Sequence, residues 1–235
     1  VGIRELIYCM RDARNDASIG AVILRGAGDK SFNAGGDVGG EKEDSQQVFE
    51  DEPSVHAHMR LLGKPIIAVV KGFCIGMCNH LQYHFDLTLA GENAVFGQVG
   101  PRVGSPAGGK IVAYLAHVVG TKKARELWML CRKYNAQEAL QMGLINAVFP
   151  VDKVDEEAEK WAEELLAMNP TCLRIIRSSF DDELENMPHN EAYFANLISM
   201  KFFGGPEQLE AMDAFLEKRK PDWGKTLRGK PADFK

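Results

Sequence analysis

Much of what this chain of 235 residues lacks narrows its chemistry before any motif is read. No run of the 18 or so apolar residues that a membrane-spanning helix needs occurs in it, and no charged-then-apolar leader opens it. A soluble, cytoplasmic protein without membrane contact is therefore expected. An excess of basic residues is lacking too: the formal net charge is -5, which argues against the electropositive face of a nucleic-acid binder. Cysteine is sparse and awkwardly placed, at 9, 74, 78, 131 and 172, with no CxxC spacing and an odd count that cannot all pair within one chain. That usage fits a reducing compartment. Cys74 and Cys78, four apart, could share a helix face, but no second pair completes a ligand set, so no metal is expected. Repeats and low-complexity segments are missing as well.

What is present is a core-forming chain, 45% apolar, long enough for one main domain and a smaller appendage. Two glycine-bearing segments stand out, Ser31-Phe32-Asn33-Ala34-Gly35-Gly36-Asp37 and Gly72-Phe73-Cys74-Ile75-Gly76-Met77-Cys78-Asn79-His80. Each follows an apolar run that reads as a buried strand, Ala21–Leu24 and Ile66–Val70. Glycines there let the backbone approach a ligand and aim main-chain N–H groups at it. Two such groups on one oxygen form an oxyanion hole, which stabilises negative charge developing on a thioester oxygen.

Helix and strand alternate through the first two thirds. The pattern predicts a helix over Ile3–Asp16, an acidic surface loop over Glu41–Glu52, a helix over Val55–Leu62, and strands over Asp86–Ala90 and Ala94–Gln98. Helices over Lys110–Val119, Lys122–Arg132 and Ala136–Met142 follow, then a strand over Leu144–Phe149. Beyond Pro150 only helices are expected, over Val154–Met168, Pro170–Phe180, Asn190–Phe203 and Pro206–Arg219. This is an α/β architecture with stacked sheets and an all-helical C-terminal part.

Three phrases in order and spacing, the first glycine segment, Lys64-Pro65-Ile66-Ile67-Ala68-Val69-Val70-Lys71-Gly72, and Phe96-Gly97-Gln98-Val99-Gly100-Pro101-Arg102-Val103-Gly104-Ser105, resemble the crotonase (enoyl-CoA hydratase/isomerase) superfamily. The resemblance implies a crotonase fold: a stacked ββα superhelix over residues 1–165 and a helical oligomerisation region over 166–235, assembled as a homotrimer or homohexamer. The family's first strand, with some CoA contacts, is expected to precede Val1. The substrate would be an acyl-CoA, and no cofactor is expected beyond the CoA it carries.

Position by position, the resemblance places the oxyanion N–H groups on Gly36 and Met77, with Ala34, Gly35 and Gly76 expected among the residues that bind the substrate and its CoA. Met77 replaces a more usual glycine, but only its backbone is needed. The two glutamates of ordinary hydratases are replaced by His80 and Gly100. The Val103-Gly104-Ser105 stretch is similar to a branch that closes or opens carbon rings beside a thioester. Ala107 and Phe203 stand where that branch carries an aspartate and a tyrosine. Water-driven opening of a cyclic β-oxoacyl-CoA is the activity implied, with His80 as general acid/base. Ser105 would orient a water or the substrate carbonyl, or else cap the next helix. His84, able to align with His80, is expected to be structural, and Asp37 to make a cap or salt bridge. Lys30, Lys218 and Lys220 are expected at the CoA phosphates.

Overall fold

The computed structural model describes residues 2–36, 55–105, 107–185 and 204–222, with side chains through residue 180 in the third stretch. The chain opens with α1 (Ile3–Asn15), whose buried stripe is Ile7, Met10 and Ala13. Strands β1 (Val22–Arg25) and β2 (Ser31–Asn33) follow, then α2 (Val55–Leu62), β3 (Ile66–Val70), β4 (Phe73–Ile75) and α3 (Met77–Gln82). Next come β5 (Leu87–Gly91), β6 (Val95–Gly97), α4 (Gly100–Val103), α5 (Lys110–Val119), α6 (Thr121–Leu130), β7 (Lys133–Asn135), α7 (Ala136–Gln141) and β8 (Ala147–Phe149). Helices α8 (Val154–Leu166), α9 (Pro170–Glu185) and α10 (Pro206–Leu216) complete the described chain.

Successive strands feed two sheets in turn. Sheet one has the order β1-β3-β5-β8 and sheet two β2-β4-β6-β7. All pairings are parallel except β6 with β7. Each ββα unit thus lays one strand on each sheet and returns through a helix, which gives the α/β stack expected of a crotonase fold. The central strand β3 is buried on both faces, as parallel strands covered by helices are. Its alternation splits the core: Ile66, Ala68 and Val70 face the main cluster with α1, α2 and α3, while Ile67 and Val69 meet Val154 and Ala158 of α8.

The structure departs from the sequence pattern mainly in short pieces. The expected Lys122–Arg132 helix stops at Leu130 because Cys131 turns left-handed, φ 51°. Lys133–Asn135 then forms an antiparallel edge on β6, and a reciprocal Asn135–Glu138 capping box starts α7. The strand expected from Leu144 begins only at Ala147, since Leu144 and Ile145 turn into the core. The acidic Glu41–Glu52 segment and the Asn190–Phe203 helix lie outside the described residues.

Candidate active site

The parallel pairing of β2 with β4 sends both following turns out of the same end of sheet two. The first turn is tied by Asn33, whose side-chain oxygen accepts the Gly35 N–H at 2.9 Å. Gly35 has φ 104°, and Gly76 has φ 66° and ψ -127°, conformations that L side chains rarely adopt. The two turns pack against each other: a Cβ on Gly76 would lie 3.6 Å from the Gly35 Cα. Gly76 donates to the Gly97 carbonyl at 3.0 Å, and its own carbonyl accepts the N–H groups of Asn79 and His80. The N–H of Met77, first in α3, is one that a helix cannot satisfy internally. Like the N–H of Gly36, it has no acceptor among the described residues. The structure thus brings the two sequence-predicted donor turns together. Cys78 beside them is no nucleophile, since burial pushes its thiol up to about 12, and burial raises Cys74 well above the usual range.

Helix side chains lean toward the preceding turn, so His80 leans from α3 back toward Met77. His84, one turn on, donates its Nδ1–H to the His80 carbonyl at 2.7 Å. Between these two sits a residue that sequence reasoning missed. The His56 ring of α2 lies 5.4 Å from the His80 ring at an interplanar angle of 17°, and edge-on to His84 at 4.7 Å. His80 Nδ1, His56 Nε2 and His84 Nε2 are shut from solvent without a hydrogen-bond partner among the described residues. Burial, the leading cause for all three, holds His56 down to about 4, His84 down to about 3, and His80 well below the ordinary imidazole value. All three are neutral at pH 7. The other polar residues of α3 serve the fold: buried Gln82 donates to Asn79 at 3.1 Å, and its side-chain oxygen accepts from Thr88 of β5 at 3.0 Å.

On the other side of the glycine turns, Val99 approaches Gly76, its Cγ1 lying 3.5 Å from a Cβ built there. Beyond it opens a cavity of about 350 Å³ whose lining includes Gly100, Ser105, Ala107, Trp128, Glu207 and Ala211. A Cβ on Gly100 would stand 2.5 Å from the Ser105 carbonyl oxygen, so this backbone admits no glutamate there. Ser105 does not cap α5, whose N-cap is Gly109. Its place is in the cavity wall. Ala107 turns a methyl where a carboxylate was expected to be missing, while Asp37 and Phe203 lie outside the described residues. Ala34 is exposed at the tip of the first turn. Lys30, Lys218 and Lys220 are exposed, and their ammonium groups form no ion pair among the described residues, whereas Arg219 between the last two is held by Glu210 and Glu217.

The enoyl-CoA hydratase/isomerase family profile matches residues 2–226, and the chain belongs to that family. It is a crotonase-superfamily enzyme that processes acyl-CoA. Among solved structures it is similar to a methylmalonyl-CoA decarboxylase, with 25% identity, a TM-score of 0.81, and 94% of this chain and 86% of that one covered. It is also similar to an enoyl-CoA hydratase/isomerase from Pseudoalteromonas atlantica T6c, with 25% identity, a TM-score of 0.77, and 93% and 87% covered. An enoyl-CoA hydratase from Mycobacterium avium subsp. paratuberculosis K-10 matches at 25% identity, a TM-score of 0.75, and 94% and 86% covered. Among the described residues no three His, Cys, Asp or Glu side chains are placed to hold a metal ion, and no helix is long and apolar enough to cross a membrane.

Proposed function

We propose that this enzyme is a cytoplasmic ring-opening hydrolase that acts on a cyclic β-oxoacyl-CoA, converting 6-oxocyclohex-1-ene-1-carbonyl-CoA to 3-hydroxypimeloyl-CoA in anaerobic aromatic degradation. One observation carries the proposal. The turns that carry Gly36 and Met77 pack against each other with both N–H groups lacking an acceptor among the described residues, which supports an oxyanion hole, while both hydratase glutamate positions lack a carboxylate, one being His80 and the other a glycine that the fold cannot enlarge.

In this scheme a first water adds to the ring carbon β to the thioester, and the displaced electron pair becomes an enolate in the oxyanion hole. Protonation at the α-carbon gives the hydrated ring. A second water then attacks the ring ketone, the bond between that carbon and the α-carbon breaks, and its electron pair again becomes the thioester enolate. Protonation releases the open chain with a new carboxylate. His80 handles the protons, Ser105 orients water or the ring carbonyl from the cavity wall, and Lys30, Lys218 and Lys220 receive the CoA phosphates. The assembly is a homotrimer or homohexamer, built through the C-terminal helices.

Incubation with 6-oxocyclohex-1-ene-1-carbonyl-CoA, followed by mass spectrometry, tests this. The expected product has gained two waters; no gain rules the proposal out. Single-water gain on 2-oxocyclohexanecarbonyl-CoA, or ring closure of succinylbenzoyl-CoA to 1,4-dihydroxy-2-naphthoyl-CoA, would move the enzyme to another reaction of the same branch.

A further inference from the structure

The cavity beside the glycine turns carries one charge. Its wall is mostly glycine, alanine and apolar side chains, and among the described residues Glu207 of α10 is its single ionisable group. We propose that Glu207 is a specificity-determining residue: its carboxylate repels acyl groups that bring a negative charge into this cavity, admits the uncharged ring, and disfavours the carboxylate formed when the ring opens. The effect on the opened product rests on the ring-opening reading; the discrimination between charged and uncharged acyl groups does not.

Three observations support it. The first is place: Gly100 follows Val99, the residue that approaches Gly76, and lines the cavity together with Ser105 and Glu207, so the charge stands in a wall that adjoins the oxyanion turn. At about 350 Å³ the cavity is at the small end of ligand pockets, with room for a single-ring acyl group rather than for CoA. The second is that the carboxylate is uncompensated. Glu207 is half-buried and has no hydrogen bond or ion pair among the described residues, whereas Glu210, one turn on, is taken up by Arg219 and the Asp222 N–H. Arg102 of α4 is not part of the lining, and its guanidinium donates to the Leu130 carbonyl at 3.3 Å. The third is rigidity. Gly104, at φ 69°, lets α10 lie directly on α4: a Cβ there would stand 2.7 Å from the Gln208 carbonyl oxygen and 2.9 Å from the Ala211 Cβ. Buried Gln208 also accepts the Gly204 N–H at 2.7 Å, which fixes the turn that presents Glu207. The helix therefore cannot retreat when a second negative charge enters.

Like charges brought together within low-dielectric walls repel far more than they do in water. Solvent at the half-exposed Glu207 screens part of this, so an effect of about ten-fold in affinity is expected. Ring opening turns an uncharged ketone carbon into a carboxylate: the water hydroxyl joins that carbon, its bond to the α-carbon breaks, a proton reaches the α-carbon, and the new acid loses its own. Product then differs from substrate by one negative charge, and Glu207 favours the exchange of product for fresh substrate.

The test measures, by calorimetry on the full chain, the dissociation constants of two ligands of equal size, the 2-carbamoyl and 2-carboxy derivatives of cyclohexanecarbonyl-CoA. They differ by one charge beside the α-carbon. Wild type is expected to hold the carbamoyl ring at least about ten-fold more tightly, Glu207→Gln to bring the two within about two-fold, and Glu207→Lys to favour the carboxylate. Both variants are checked for native circular dichroism, and Glu207→Gln alone decides if the lysine variant misfolds. Equal binding of the two rings by wild type overturns the proposal, as does an unchanged preference in folded Glu207→Gln. Binding of neither ring by wild type overturns it too. If the preferences appear as expected but 6-oxocyclohex-1-ene-1-carbonyl-CoA is not opened, the ring-opening reading falls and the role of Glu207 stands. If that ring is opened without the preferences, the reverse holds.

Discussion

His56, His80 and His84 are three imidazoles whose neutral forms the fold enforces, and this ties stability to pH. Their folded values lie below the ordinary 6.5, His56 at about 4 and His84 at about 3, because burial disfavours the cation and Lys110 adds repulsion at both. The neighbouring rings are Tyr83, Tyr114 and His117, none of them anionic at neutral pH. Below pH 6.5 the unfolded chain binds protons that the folded chain refuses, so stability is fully present above about pH 7 and lost as pH falls toward 4. The loss should approach about 1.4 kcal/mol per pH unit for each histidine. Thermal melts from pH 8 to 4.5 should show a flat Tm and then a steep fall, which His56→Gln makes shallower; an unchanged slope in that variant would contradict the account. A second prediction concerns Gly76. Space for a methyl exists there, with no heavy atom nearer than 3.5 Å, so the backbone conformation alone forbids the side chain. Gly76→Ala is expected to reorient the Met77 N–H and lower kcat by about 10²- to 10³-fold with little change in KM, measured by steady-state kinetics. At this scale Gly36, Met77, His80 and Ser105 could be picked out as candidates because they sit in motifs with fixed spacing. His56 could not, since it stands 24 residues before His80 on another helix and only packing brings the rings together.

Among the described residues, Arg177 ties helix α9 to the sheet core through hydrogen bonds and an ion pair. The Arg177 guanidinium is buried, meets Asp86 at 2.9 Å, and donates to the Met59 carbonyl at 2.9 Å and the Arg60 carbonyl at 3.2 Å. Asp86 in turn accepts the Ile66 N–H at 2.7 Å, at the start of β3. One ion pair therefore joins α9, the C-terminal end of α2 and the strand ahead of the glycine turn. Arg177→Met leaves the carboxylate and two carbonyls with fewer partners, and should cost about 3 kcal/mol, read as a lower denaturant midpoint with unchanged m. A loss under about 1 kcal/mol would mean that the contact is dispensable. Elements five or more residues long were readable from periodicity, among them α1, α2, β3 and α5. Strands β2, β4 and β7 were not, because, unlike the equally short β6 and β8, they lie in no longer stretch that reads as a strand, and their strand character comes from partners in sheet two.

Across the whole molecule, the outer face of α9 leaves Ile175, Ile176 and Phe180 exposed, Phe180 at 71%, an apolar patch of the kind that self-association covers. Under the proposed assembly, Ile176→Glu with Phe180→Glu should shift the protein from trimer or hexamer toward monomer in light scattering, without loss of secondary structure. A monomeric wild type, or an unchanged mass in the variant, would refute that arrangement. The amino-acid order by itself determined the two glycine turns and the alternation that builds an α/β stack, because these depend on residue type and local spacing. Only the tertiary structure decided that the turns converge, that Gly100 is barred from carrying a side chain by the Ser105 carbonyl, and that His56 joins His80. Those outcomes depend on distances between segments far apart in the chain, which parallel strand pairing and helix packing set and local sequence does not encode.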